Sequence, residues 1–212
     1  MKQLVFIHGR AQEGKDAVAL KAAWIAAWKE GLAKSGLVMT IPEDRVRFPY
    51  YGDTLKQLVG GTHPDDAARI IVRGAQDDAS TALFLSAMLQ EYIDVAGITD
   101  GEIELQLDTD ARVIERGPQN WGWVQAVLRA IDKRTPGGGA MIALVTNDVH
   151  QYLTKSPVRT HIEDGVLQAL DLARENVVVS HSLGTVVAYT VLRRLAQEGQ
   201  AWKVPLLVTL GS

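Results

Sequence analysis

The chain has 212 residues, of which 47% are hydrophobic and 22% charged, and 25 acidic against 22 basic side chains leave a formal net charge of −3. These proportions describe a globular domain with a sizeable core, and charges mixed along the whole length exclude a basic face for nucleic acid or anionic lipid, so small molecules or proteins are the expected partners. No cysteine is present, which removes disulfides, thiol nucleophiles and thiolate zinc sites and fits a reducing, cytoplasmic setting, while no segment approaches the roughly 20 apolar residues of a membrane span. In chain order, "KQLVFIHG" is a short, nearly all-apolar stretch ending in glycine, the pattern of a strand buried on both faces of a parallel sheet. Asp16 then caps a helix in which Leu20, Trp24, Trp28 and Leu32 recur at intervals of three or four, with Gly36 as its stop.

"RVRFPYYGD", Arg45 to Asp53, is expected to form a second strand running into an aromatic loop, because Pro49 cannot donate to a ladder and Gly52 permits a turn. From Thr54 to Thr135 the spacing is mostly helical, in "DDAARIIVRGAQ", "ASTALFLSAMLQEYIDVAG" and "NWGWVQAVLRAIDKR". The glycines of "TPGGGA", Thr135 to Ala140, predict a linker or hinge, since three together are expensive to order. "MIALVTNDVHQYL" fits strand or helix, with helix favoured by Val149, Tyr152 and Leu153; "VRTHIEDGVLQALDLAREN" is a clearer helix. The strand "VVVSH", the helix "TVVAYTVLRRLAQEG" and a final buried strand "KVPLLVTLGS" follow. This order predicts an α/β protein with a mostly parallel sheet and flanking helices.

The stretch "VVVSHSLGTVVAY" runs an apolar strand straight into Ser182 and then into a helix. A serine nucleophile needs a base and an exposed position, and a tight strand-to-helix turn supplies the second by lifting the side chain above the sheet edge and aiming the next N–H groups at a developing oxyanion. Such a turn demands small residues two before and two after, here Ser180 and Gly184. On these residues the sequence resembles the α/β-hydrolase family, whose nucleophile elbow is Gly-x-Ser-x-Gly; Ser180 stands where the family has its first glycine. "FIHGR" is similar to the family's His-Gly loop. The resemblance implies a serine hydrolase of the lipase or esterase type acting on a small-molecule ester or acyl substrate, with no cofactor and no metal. Ser182 would be the nucleophile, the N–H groups of Arg10 and Leu183 the oxyanion hole, and His8, Gly9, Tyr51 and His181 parts of the substrate pocket. By itself, a serine at such a position is as readily a helix cap or a turn residue.

The long helical stretch before the elbow strand exceeds a simple crossover, which needs about a dozen residues. It predicts a helical cap over residues 54–135, inserted into a core formed by 1–53 and 136–212. Phe84, Leu85, Met88 and Leu89 suit an apolar substrate or the cap's own interior, and Tyr50, Tyr51 and Asp53 either line the pocket mouth or brace the loop. In the resembled family the acid and histidine follow the nucleophile, but here only one strand and no histidine do. Three expectations arise: a chain lacking the last strands, a partner chain that completes the site, or a catalytically silent hydrolase-like binding or regulatory protein. His181 is placed away from the serine by strand alternation, and His63, His150 and His161 read as surface residues. "GRAQEGKD" matches P-loop spacing until Asp16 stands where a Mg²⁺-binding hydroxyl is required, which leaves a P-loop-like nucleotide binder as the least supported alternative.

Overall fold

A computed structural model of the chain describes residues 2–53, 79–107, 117, 120–154 and 156–211. Strand β1 (Lys2–Ile7) is followed by helix α1 (Ala17–Lys34), a 3₁₀ turn (Glu43–Arg45) and the short strand β2 (Val46–Arg47). Helices α2 (Ala79–Ala96), α3 (Asp100–Glu104), α4 (Trp121–Arg134), α5 (Gly138–Thr154) and α6 (Ser156–Ala169) come next, then β3 (Glu175–His181), α7 (Leu183–Gln197) and β4 (Lys203–Leu210). The four strands form one sheet in the order β2-β1-β3-β4, with every neighbouring pair parallel. This is an α/β protein. Its contacts divide it into two compact units, Met1–Gly60 with Gln151–Ser212, and Gly61–His150.

The first unit carries the sheet. β1 is the middle of the apolar interior, and its residues from Gln3 to Ile7 are all buried. Because side chains alternate along a strand, Leu4 and Phe6 share a face with Val177 and Val179, their partners across the ladder. Phe6 meets Trp24 and Trp28 edge-on there, with ring centroids 5.5 and 5.9 Å apart, so the helical spacing of the two tryptophans puts α1 on this face. Val5, Ile7, Val178 and Ser180 point the other way, and α7 packs against β1 and β3 through Val187, Ala188 and Val191. Asp16 caps α1 as expected, its carboxylate accepting from Ala19 N–H at 2.7 Å, and Gly36 ends it with φ 69°.

Three expectations need correction. The second strand is only Val46–Arg47, because the chain leaves the ladder before Phe48 and Pro49. β4 is not a buried strand: it is the sheet edge, with Leu206 and Leu210 50% and 43% exposed. "TPGGGA" is not an open linker, since α5 begins at Gly138 and Gly139 N–H donates to the Asp132 carboxylate at 2.7 Å. A Cβ on Gly139 would lie 2.3 Å from the carbonyl oxygen of Leu128, so that glycine allows the start of α5 to press against α4.

In the second unit, α2 and α4 fall where the helical spacing of "ASTALFLSAMLQEYIDVAG" and "NWGWVQAVLRAIDKR" places helices. α2 closes at Gly97, which has φ 62°, and Asn120 caps α4 by accepting from Trp123 N–H. Leu85, Leu89 and Ile93 of α2 join Val124, Val127 and Ile131 of α4 in one apolar cluster. The expected helix "DDAARIIVRGAQ" lies outside the described residues. Among those described, no helix is long and apolar enough to cross a membrane.

Candidate active site

Ser182 stands between the last residue of β3 and the first of α7 with φ 52° and ψ −127°. A side chain is strained in this region of backbone space, where the penalty is of order 1–3 kcal/mol. The only other non-glycine residue with positive φ among those described is Ala11, at 58°, in the loop that leaves β1. Both strained positions therefore follow the carboxyl ends of adjacent strands, the edge at which parallel sheets place ligands. Ser182 also occupies the N-cap position of α7, yet its hydroxyl makes no capping bond. Asp16, Thr99 and Asn120, at the same position of their helices, all do.

Close backbone approaches hold the elbow. A Cβ on Gly184 would lie 2.3 Å from the Ile7 carbonyl oxygen and 2.6 Å from that of His8, so the first turn of α7 rests directly on the end of β1. A Cβ on Gly9 would lie 2.9 Å from Ser182 Cβ and from the His181 carbonyl oxygen. Gly9 thus presses the β1 loop against the serine, and Arg10, the expected oxyanion donor, is the next residue along. The other expected donor, Leu183 N–H, belongs to the first turn of α7, whose N–H groups have no partner within the helix. Thr185 N–H bonds back to the Ser182 carbonyl at 2.8 Å, and Ser182 N–H donates to Leu210 O at 3.0 Å, which ties the elbow to β4. Ser180 does more than stay small. Fully buried, its hydroxyl donates to Val208 O at 3.2 Å and lies 3.3 Å from the Thr185 hydroxyl.

The expected pocket residues divide by exposure. His181 is exposed beside the serine, its ring centroid 6.2 Å from that of Trp24 in an edge-on arrangement, with Gly211 close to its Nε2. His8 and Tyr51 are buried and bonded to each other: Tyr51 N–H donates to His8 Nε2 at 3.1 Å, the Tyr51 hydroxyl donates to the His8 carbonyl, and the rings stack at 3.9 Å. With Nε2 accepting, Nδ1–H is left to donate to Gly9 O at 2.7 Å, which fixes a neutral tautomer. Tyr50 and Asp53 brace the loop from outside, since the Tyr50 hydroxyl donates to Gln12 O at 2.6 Å and Asp53 accepts from Gly14 N–H at 2.6 Å. His161 is exposed on α6, His150 faces Phe84 in the second unit, and His63 lies outside the described residues. No group of three metal-ligating side chains occurs among the described residues.

Burial pushes the His8 imidazole down from 6.5 to about 4, helped by the Lys15 charge and opposed by the bond to Gly9. The unfolded chain therefore takes up this proton first, so His8 contributes its full stability above pH 6.5 and loses it as the pH falls to about 4. The loss is of the order of 3 kcal/mol, at about 1.4 kcal/mol per unit. Urea unfolding from pH 7 to pH 4 should show this slope, and His8→Asn should flatten it. An equal slope in both proteins would mean that the ring is not buried and neutral.

With this geometry in hand, comparison with known proteins adds nothing to it: no protein-family model matches the chain, nor does any curated protein or solved structure.

Proposed function

We propose that the chain is a serine hydrolase of ester or lipid-like substrates, on an α/β-hydrolase-like core built around its four-stranded parallel sheet. The observation that carries this is a serine held at φ 52° on a strand-to-helix turn whose hydroxyl caps nothing. A turn or cap serine has no use for that strain, whereas a nucleophile gains exposure from it. Ser182 Oγ attacks the substrate carbonyl and its proton passes to a base; the oxyanion is met by the N–H groups of Leu183 and Arg10. Collapse of this adduct expels the alcohol with a proton and leaves an acyl-serine, which water then hydrolyses.

The open element is the base. Removal of one triad member leaves only about 10³ to 10⁴ of acceleration over water, so a fluorophosphonate should label the protein slowly at Ser182 and faster as free imidazole is added. Peptide mapping should place the adduct on Ser182, and Ser182→Ala should abolish it together with turnover of a p-nitrophenyl ester. A folded protein that forms no adduct at Ser182 at any imidazole concentration is instead the silent binding protein. That outcome ends the enzymatic assignment.

A further inference from the structure

A second polar site lies away from the elbow, between α6 and α7. It is an open groove of about 450 Å³, with Arg159, Thr160 and Glu163 on one wall and Arg193, Arg194 and Gln197 on the other. The α7 residues share a stripe with Thr190, at spacings of three and four that put them on one helix face. Arg193 follows Leu183 by ten positions, so it stands about 15 Å along the helix from the serine.

The floor of the groove is already neutralised. Glu163 is only 5% exposed and accepts from the Tyr152 hydroxyl at 3.1 Å and from Arg194 Nη1 at 3.3 Å, with Arg159 Nε at 3.9 Å. Tyr152 is fully buried, and its hydroxyl also meets that of Thr190. Arg194 is further engaged by Glu198 at 2.9 Å and by Asp164 at 4.0 Å. Three carboxylates thus cluster on Arg194, while Arg159 makes one long ion pair and the exposed Arg193 makes none among the described residues. The three arginines and the three carboxylates balance in charge, and spare guanidinium donors on Arg159 and Arg193 remain at the mouth of the groove. Its arginines near Glu163 are held in place before any ligand arrives, which lowers the ordering cost of binding.

We infer that this groove binds the phosphate of a small anionic ligand, a phosphate monoester dianion. Guanidinium groups match phosphate oxygens in paired hydrogen bonds, and a dianion with three acceptor oxygens can use Arg159 and Arg193 together with the Thr160 hydroxyl or the Gln197 amide. A single carboxylate would only repeat what Glu163 already provides. The site is independent of the serine chemistry.

Inorganic phosphate at about 10 mM, against sodium chloride at matched ionic strength, should raise the melting temperature by about 3 °C for a Kd near 1 mM. Acetate should produce no rise. Arg193→Ala and Arg159→Gln should each weaken phosphate affinity about tenfold by calorimetry, and Arg193, exposed and unpaired, can be removed without disturbing the fold. Co-sedimentation with phosphatidic acid vesicles that depends on Arg193 would identify a lipid headgroup as the source of the phosphate. A phosphate shift without sedimentation identifies a soluble one. An equal rise with chloride or acetate, or unchanged phosphate affinity in both variants, overturns the assignment.

Discussion

Ser182→Gly should abolish fluorophosphonate labelling and at the same time raise the melting temperature by about 2–4 °C. The hydroxyl is lost in either Ser182→Gly or Ser182→Ala, so both variants are equally unreactive. They differ in the backbone. At φ 52° and ψ −127° alanine keeps the strain of the native serine, of order 1–3 kcal/mol, whereas glycine adopts this conformation freely and gives back about 0.5–1 kcal/mol in unfolded-chain entropy. The net gain of about 1 kcal/mol corresponds to the stated shift for a chain of this size. Ser182→Ala should melt within about 1 °C of the native protein. Scanning calorimetry on the three proteins decides it: a melting point for the glycine variant at or below that of the alanine variant means that the elbow stores no strain.

A more stable but inactive variant would also explain why the strain persists. Positive-φ side chains survive where the surroundings over-determine them, and here the constraint comes from four sides. Gly184 seats α7 on β1, Gly9 presses on Ser182 Cβ, Ser182 N–H is bonded to Leu210 O, and the Ser180 hydroxyl joins β3 to Val208 of β4. His8 and Tyr51 then hold the β1 loop from behind, at Gly9 and the His8 carbonyl.

Much of this frame can be read from the sequence, and the exceptions have physical causes. β1, the α1 tryptophans and the β3-turn-α7 unit are legible because buried apolar runs and helical spacing act over a few residues. The second strand, cut short at Phe48, and the exposed faces of β4 depend on what lies beside them in the sheet, which no local pattern encodes. "TPGGGA" misleads because glycine's entropy is outweighed where Gly139 lets α5 approach Leu128. The short α3 was legible in principle: Thr99 and Glu102 form a capping box, with Thr99 N–H donating to the glutamate at 2.8 Å. The bonding of Tyr51 to His8, 43 positions apart, carries no sequence signature. Nor does the buried Glu163 beneath Arg194.

Gly184→Ala should destabilise the protein by about 3 kcal/mol, whereas Gly165→Ala should stabilise it by about 0.5–1 kcal/mol. Both glycines are helical, so intrinsic propensity favours alanine equally at the two sites. Around Gly165 a new Cβ meets nothing within 4 Å, and only that preference acts. At Gly184 the same Cβ would sit 2.3 and 2.6 Å from two carbonyl oxygens of β1, rigid backbone atoms that cannot rotate aside. α7 must then move off the sheet, which opens the packing of Val187 and Val191 and displaces Leu183 at the start of the helix. The damage should therefore reach chemistry as well as stability. At a temperature where Gly184→Ala is still folded, labelling of its intact Ser182 should fall at least tenfold relative to the native protein. Urea unfolding supplies the first comparison and labelling kinetics the second. If Gly184→Ala proved as stable as Gly165→Ala, the contact between α7 and β1 would not be the one that sets the elbow.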